Sequence, residues 1–150
     1  MEALNGKYET CIQALKTLKE GIDSIDILKQ QTFTGISNED LKKIFRDSII
    51  QRFEYSFDCV WKYLKLFLEN QKIILEIKSP KYIFRQLMAI GIINEEECLT
   101  GMQMVDDRNL TTHLYNEKKT NEIAINILQY HKLMKTIMEK SKPELCLGSN

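Results

Sequence analysis

The stretch 41–68 reads LKKIFRDSIIQRFEYSFDCVWKYLKLFL, and apolar side chains recur in it every three or four positions. The recurring residues are Leu41, Phe45, Ile49, Phe53, Phe57, Val60, Leu64 and Leu68. This spacing places them along one side of an α-helix, which has about 3.6 residues per turn. Ser37, with Asp40 three positions later, is a capping pair for the start of such a helix. The sequence therefore predicts one amphipathic helix of about 30 residues, roughly 45 Å long at 1.5 Å per residue.

Upstream of that stretch, a second apolar stripe predicts a first helix. Its apolar residues lie between positions 8 and 18, and Gly21 is the expected end of the helix. Residues 21–38 are the least regular part of the chain and predict a loop, with room for a short helical turn at 22–28.

Downstream, three helix starts carry capping residues. Ser79-Pro80 begins a short helix that ends at Gly91, because serine caps a helix and proline suits its first position. Asn94 with Glu97 forms a capping box for the next helix, and Asn116 caps the last one. On the fourth helix, the expected buried side chains are Leu99, Met102 and Val105. Residues 143–150 predict a frayed tail.

Together these elements predict one all-α domain over residues 1–150. Alternation of the strand type is weak everywhere, and no internal repeat is present. The expected architecture is a bundle of about five helices, similar to a four-helix up-and-down bundle. A length of 150 residues suits a single domain with its own hydrophobic core.

The composition excludes several classes of protein. Lys plus Arg number 21 and Asp plus Glu number 21, so the chain lacks the basic excess of a dedicated nucleic-acid binder. The four cysteines are scattered, which disfavours a zinc site or a disulfide framework. Neither a secretory signal nor a long apolar run is visible, so we expect a cytoplasmic protein away from the membrane. We expect no cofactor and no metal.

The segment 106–117, DDRNLTTHLYNE, concentrates groups suited to phosphodiester chemistry. An arginine such as Arg108 can hold phosphate oxygens, and a histidine such as His113 can move a proton near neutral pH. On a continuous helix Asp106 and Asn109 share a stripe with His113, so either could orient its imidazole ring.

On such a helix, Arg108 and His113 lie about 140° apart. One chain would therefore not aim both at one point, but two chains related by a two-fold axis could. The alternative interpretation is a polar helix end that is capped and hydrogen-bonded for structural reasons alone.

Arg108, His113 and Tyr115 reproduce the Arg-x4-His-x-Tyr motif of the HEPN domains that pair with minimal nucleotidyltransferases. The run RDSIIQRFEYSFDCVWKYLKLFL, residues 46–68, resembles the long second helix of that family. SPKYIFRQLMAIGII, residues 79–93, resembles its third helix and the following turn. The resemblance extends from about residue 41 to 138, and the matching subgroup is that of the nucleotidyltransferase substrate-binding proteins.

The resemblance implies a homodimeric helical bundle in which two Arg–His pairs meet in a cleft. For many members it implies a metal-independent endoribonuclease, the toxin of a toxin–antitoxin pair, acting on an RNA such as tRNA or mRNA. The antitoxin is a nucleotidyltransferase encoded alongside, which transfers AMP to the motif tyrosine.

Mapped onto this chain, the resemblance assigns the scissile phosphate to Arg108 and general acid–base catalysis to His113. Asn109 is the supporting polar residue, and Tyr115 is the acceptor of AMP. Two alternatives stay open. One is a non-catalytic subunit that docks a nucleotidyltransferase and presents its substrate. The other is a helical interaction protein whose motif is vestigial.

Overall fold

Five α-helices and one short 3₁₀ helix account for most of the chain, which a computed structural model describes at residues 1–31, 34–113 and 116–144. The α-helices are α1 (Glu2–Leu28), α2 (Asn38–Asn70), α3 (Pro80–Ala89), α4 (Glu95–Leu110) and α5 (Glu117–Lys140). The 3₁₀ helix, Thr111–His113, directly follows α4. These described ranges contain no strand, and the prediction of an all-α bundle of about five helices is confirmed.

Capping side chains begin four of the helices at the predicted places. The side chain of Ser37 accepts a hydrogen bond from the Asp40 N–H at 3.1 Å, and Asn94 closes a full capping box with Glu97. Such bonds satisfy N–H groups that have no partner inside the helix. The capping residues are Ser37, Ser79, Asn94 and Asn116. After α3, Gly91 has a φ of 80°, a left-handed conformation that glycine adopts without strain.

The apolar stripe of α2 forms the centre of the core. Its buried members include Ile49, Phe53, Phe57 and Leu64, and α2 contacts α1, α3 and α5. The Phe53 ring stacks on Tyr130 of α5 with centroids 5.6 Å apart. From Ile49 to Leu68 this stripe is covered within one chain, and only Leu41 and Phe45 at its start are half-buried, so a homodimer would have to use mainly another surface.

The predicted loop at 21–38 is wrong in its first half, because α1 continues through Gly21 to Leu28. Gly21 lies against Arg52 of α2, and a Cβ atom there would come within 3.1 Å of the Arg52 side chain. Arg52 Nη1 donates a hydrogen bond to the Thr17 carbonyl at 2.8 Å, which fixes this approach. The glycine therefore accommodates a neighbouring helix and does not end its own.

The predicted buried face of α4 is also displaced. Leu99 is 66% exposed and Met102 is half-buried, so these two were misplaced, whereas Val105 is buried as predicted, together with Cys98 and Met104. Gly101 lies against the ring of Phe84 on α3, where a Cβ atom would be only 2.7 Å from Phe84 Cδ1. The contact through Gly101 thus sets the rotation of α4.

The C-terminal end is attached to the bundle up to residue 144. The hydroxyl of Tyr63 donates to the carbonyl of Ser141, and Pro143 is buried. The rest of the predicted frayed tail, residues 145–150, lies outside the described residues. In the part of the chain that is described, no helix combines the length and apolar character needed to cross a membrane.

His131 connects α5 to α1 through a buried imidazole. It is 6% exposed, and its Nε2 lies 3.1 Å from the carbonyl oxygen of Leu15. Burial lowers the pKa of His131 below 6.5, with the charges of Lys19 and Lys135 acting in the same direction. The Leu15 carbonyl and Asp23 oppose that change. The fold therefore favours the neutral imidazole.

We expect the free energy of unfolding to fall as the pH is lowered through about 6.5, because the unfolded chain then binds a proton that folded His131 resists. One such group contributes at most about 1.4 kcal/mol per pH unit. His131→Gln keeps an N–H for Leu15 and cannot titrate, so its stability should depend less on pH. The measurement is urea unfolding followed by circular dichroism between about pH 7.5 and 5.5. His113→Gln, at the exposed second histidine, is the matched control, and equal slopes in all three proteins would contradict the assignment.

Candidate functional site

The predicted site lies where α4 ends. Arg108 is in the last turn of α4 and is half-buried, while Asn109 and His113 are exposed. The α-helix stops at Leu110 because threonine hydroxyls bond to its last carbonyls: Thr111 Oγ1 donates to the Arg108 oxygen at 2.7 Å. His113 therefore ends a 3₁₀ turn instead of continuing the α-helical stripe.

Arg108 is held by two carboxylates of α2. Its Nε and Nη2 contact the two oxygens of Asp58 at 3.3 and 3.0 Å, a bidentate arrangement. Its Nη1 lies 3.0 Å from Glu54 Oε2 and donates to Thr111 Oγ1 at 3.1 Å. The hydrogen bond to Asp58 and the charges of Asp58 and Glu54 raise the pKa of Arg108, although burial opposes them. We call Arg108, Glu54 and Asp58 the Arg108 cluster.

The Arg108 cluster has more negative than positive charge, since one guanidinium faces two carboxylates. A phosphate that approached Arg108 would have to displace Asp58 and Glu54, and it would meet their repulsion first. In the single chain, the guanidinium is therefore not a free anion-binding group.

Neither Glu54 nor Asp58 is among the residues that the sequence predicts for the site. The only sign in the sequence that Glu54 and Asp58 act together is their spacing, because residues four apart lie on the same face of a helix. That they face α4 follows from the rotation of α2, which the buried Phe53 and Phe57 set.

A third residue outside the predicted set is Asp107, which is 5% exposed. Its Oδ2 accepts hydrogen bonds from the Tyr130 hydroxyl at 2.5 Å and from Asn126 Nδ2 at 3.3 Å, both on α5. Burial, followed by the bond to Asp107, raises the pKa of Tyr130, so this hydroxyl keeps its proton and donates it. Asp107 thus holds the end of α4 against α5.

Asp106, which the helical stripe placed beside His113, faces α3. Its Oδ1 lies 2.6 Å from Nζ of Lys81. A supporting role of Asp106 or Asn109 toward the imidazole stays a prediction. Tyr115, the predicted site of AMP transfer, lies outside the described residues.

This arrangement offers two chemical groups of different availability. His113 is exposed and can exchange a proton with solvent or with a ligand. Arg108 is engaged, so it acts on a ligand only if its carboxylate partners release it. Among the described residues, no three His, Cys, Asp or Glu side chains are grouped as the ligands of a metal ion would be.

Two solved structures share this fold. A protein from Thermus thermophilus is 32% identical, with a TM-score of 0.71 over 89% of this chain and 99% of that one. A protein from Haemophilus influenzae is 17% identical, with a TM-score of 0.74 over 91% of this chain and 99% of that one. The latter structure is described as revealing the fold of a substrate binding domain of a nucleotidyltransferase. At that identity the likeness shows the fold alone.

Comparison with curated proteins gives no match. A family model does match, and it extends over residues 6–143, from the first turns of α1 to just beyond α5. This chain therefore belongs to the family of proteins like the nucleotidyltransferase substrate-binding proteins.

Proposed function

We propose that this chain is the binding subunit of a nucleotidyltransferase pair, which docks to a separate nucleotidyltransferase and presents a substrate to it. The observation that carries this proposal is membership of the family over residues 6–143. The resemblance of segment 106–117 to the domains that pair with minimal nucleotidyltransferases points to the same kind of partner.

The Arg108 cluster supports a binding role over a catalytic one. Arg108 is bidentate to Asp58 and also paired with Glu54, and its side chain is only 18% exposed. A catalytic arginine that stabilises a phosphorane-like charge works best when its donors are already directed at that charge. Here the donors are directed at the chain's own carboxylates.

If a nucleotidyltransferase is encoded beside this chain, as the resemblance implies, co-expression of the two should give one stable complex. We expect size-exclusion chromatography with light scattering to show both chains in a single peak, with a dissociation constant of about 1 μM or tighter. His113→Ala changes an exposed side chain and should keep that affinity within about twofold. Two separate peaks at micromolar concentration, with both chains folded by circular dichroism, would overturn the docking proposal.

The second candidate function is the metal-independent ribonuclease that the motif implies. What favours it is the exposure of His113 and the bond from Arg108 Nη1 to Thr111, which ties the guanidinium to the same turn. In such a reaction the RNA 2′-hydroxyl attacks phosphorus and loses its proton to a histidine. The 5′-oxygen leaves with a proton from a second histidine, and a 2′,3′-cyclic phosphate remains. The second histidine would come from another copy of the chain.

If the chain cleaves RNA in this way, His113→Ala should lower cleavage by about 10²–10⁴-fold while leaving the fold intact. Asp58→Asn should raise the rate of cleavage, because removing one carboxylate charge makes Arg108 available to the phosphate. The measurement is cleavage of labelled RNA in EDTA, which should leave the wild-type rate unchanged.

The same candidate requires a homodimer, so light scattering should give twice the chain mass of 17.6 kDa. Cleavage that needs magnesium, or a strictly monomeric protein that still cleaves, would rule this mechanism out. If the chain binds the nucleotidyltransferase and cleaves no RNA, the binding function is supported and the ribonuclease function is rejected.

Transfer of AMP to Tyr115 would connect the two functions. The phenolic oxygen forms a bond to the α-phosphorus of ATP, pyrophosphate leaves, and the phenolic proton passes to solvent. The attached phosphate would then lie in the segment that also holds Arg108 and His113, where it would compete with RNA.

Intact-mass spectrometry after incubation with the partner and ATP should show one or more added AMP groups on the wild type and none on Tyr115→Phe. Tyr55→Phe is a matched control, since Tyr55 is 58% exposed on α2 and lies outside the motif. It should be modified as the wild type is. An equal gain of mass on Tyr115→Phe would show that the acceptor is another residue.

A further inference from the structure

The antiparallel packing of α1 against α2 places two cysteines opposite each other. Ser56 Oγ donates to the Ala14 carbonyl at 3.1 Å, and the rings of Tyr8 and Tyr63 meet edge to face with centroids 5.6 Å apart. Between these two contacts the position on α1 falls from 14 to 8, while the position on α2 rises from 56 to 63. About halfway along, position 11 faces position 59, and both positions hold cysteine.

The two helices also pack closely enough for a covalent link. Among the described residues, α1 and α2 form the most extensive contact between any two helices, and small side chains meet at Ala14 and Ser56. Packed helix axes are about 8–10 Å apart and Cα atoms lie about 2.3 Å from each axis, so directly facing Cα atoms are about 3–6 Å apart. A disulfide needs Cα atoms about 4.4–6.8 Å apart, which overlaps that range.

Both cysteines are free thiols, but their surroundings differ. Cys11 is 1% exposed, whereas Cys59 is half-buried. Burial raises the pKa of Cys11 to about 12, and the neighbouring Cys59 acts in the same direction, while Lys7 opposes them. That Cys59 acts on Cys11 at all reflects how near the two sulfur atoms are. Cys11 therefore keeps its proton at neutral pH, and Cys59 is the thiol that a dissolved reagent meets first.

A groove of about 660 Å³ gives access to this junction. Ala14 and Tyr55 line the groove, and they lie one helical turn from Cys11 and Cys59 respectively. Tyr55 is 58% exposed, so solvent reaches α2 at this point. A small neutral oxidant can approach Cys59 along the groove.

From this juxtaposition we propose that Cys11 and Cys59 are a reversible oxidation site, which hydrogen peroxide converts into a disulfide between α1 and α2. The Cys59 sulfur first attacks one peroxide oxygen. The O–O bond breaks, one water molecule leaves, and a sulfenic acid remains. The Cys11 sulfur then attacks the Cys59 sulfur, and the S–O bond breaks as hydroxide leaves with the Cys11 proton as a second water. The two thiols lose two electrons and two protons, and peroxide becomes two molecules of water.

The disulfide would join positions that are 48 apart in the sequence. A link across so long a loop restricts the unfolded chain and so stabilises the folded one. It would also fix the part of α2 that holds Arg108, because Asp58 directly precedes Cys59. Both cysteines belong to the core of the single chain, so this chemistry is independent of the proposed nucleotidyltransferase partner.

The test treats the reduced full chain with hydrogen peroxide, blocks the remaining thiols and digests the protein with trypsin without reductant. Mass spectrometry should find YETCIQALK, residues 8–16, joined to FEYSFDCVWK, residues 53–62, with the loss of two hydrogen atoms. This pair should be at least about tenfold more abundant than any pair that contains Cys98 or Cys146, because a disulfide forms only between sulfur atoms that can meet. Dithiothreitol should restore both thiols.

Variants separate the two steps. Cys11→Ala should leave Cys59 as a sulfenic acid that dimedone traps, whereas Cys59→Ala should leave the Cys11 thiol unmodified. Cys98→Ala is the matched control, since Cys98 is a buried cysteine on α4, and it should form the link as the wild type does. The linked wild type should unfold at a urea midpoint about 1 M higher than the reduced protein.

Three results would overturn the proposal. They are no linked peptide at any peroxide concentration that leaves the protein folded, an equal or greater yield of a link through Cys98 or Cys146, and a urea midpoint of the linked protein no higher than that of the reduced one. All three are measured on the wild type, so a variant that fails to fold does not weaken the test.

Discussion

The arrangement of α1, α3 and α5 depends on the burial of the α2 stripe, which all three helices contact. Phe53 and Phe57 are almost fully buried. Burying one such side chain, compared with leaving it exposed, stabilises the folded state by about 1.5–3 kcal/mol. Only one orientation of α2 about its own axis buries both rings. Glu54 and Asp58 each follow a buried phenylalanine by one residue, about 100° further around the helix. They therefore lie at the border of the core, where the end of α4 meets them.

Three consecutive residues of α4 then connect it to three different helices. Asp106 pairs with Lys81 of α3, Asp107 accepts from Tyr130 of α5, and Arg108 is bidentate to Asp58 of α2. Ion pairs with exposed members contribute about 1 kcal/mol or less, so the outer two contacts add little to stability beside the apolar core. Their effect is positional: they orient the last turn of α4, and with it the 3₁₀ turn that ends at His113.

How much of this fold could be predicted from the sequence depended on whether the signal involved residues that are neighbours in the chain. Caps such as Ser37 and Asn94 are correct because a cap involves neighbouring residues in sequence. The sequence does not predict that α1 continues through Gly21 or which face of α4 is buried. Both depend on contacts of a glycine with a side chain of another helix, Gly21 with Arg52 and Gly101 with Phe84.

In the candidate site, too, the local features are visible in the sequence and the contacts between helices are not. The segment 106–117 is recognisable from the sequence because its chemical groups are contiguous, yet the carboxylate partners of Arg108 are 50 or more positions away. Their approach follows from the packing of α4 on α3 and α5, which brings its last turn within reach of the α2 carboxylates and which no local pattern encodes. The local charge is likewise invisible in the zero net charge of the chain, since two carboxylates surround the single guanidinium of Arg108.

The pairing of Arg108 with two carboxylates connects the two proposed functions. An anionic ligand that approaches Arg108 is repelled by Asp58 and Glu54. Arg108 becomes available only if another cation takes over its carboxylates, or if they are neutralised. A partner chain could present a basic residue to Asp58 or Glu54, because both carboxylates are partly exposed at the surface. Docking and phosphate binding at Arg108 would then be coupled through one ion cluster. Under the two proposed functions, Arg108 paired with its carboxylates corresponds to binding alone, and Arg108 released from them is what RNA cleavage would require.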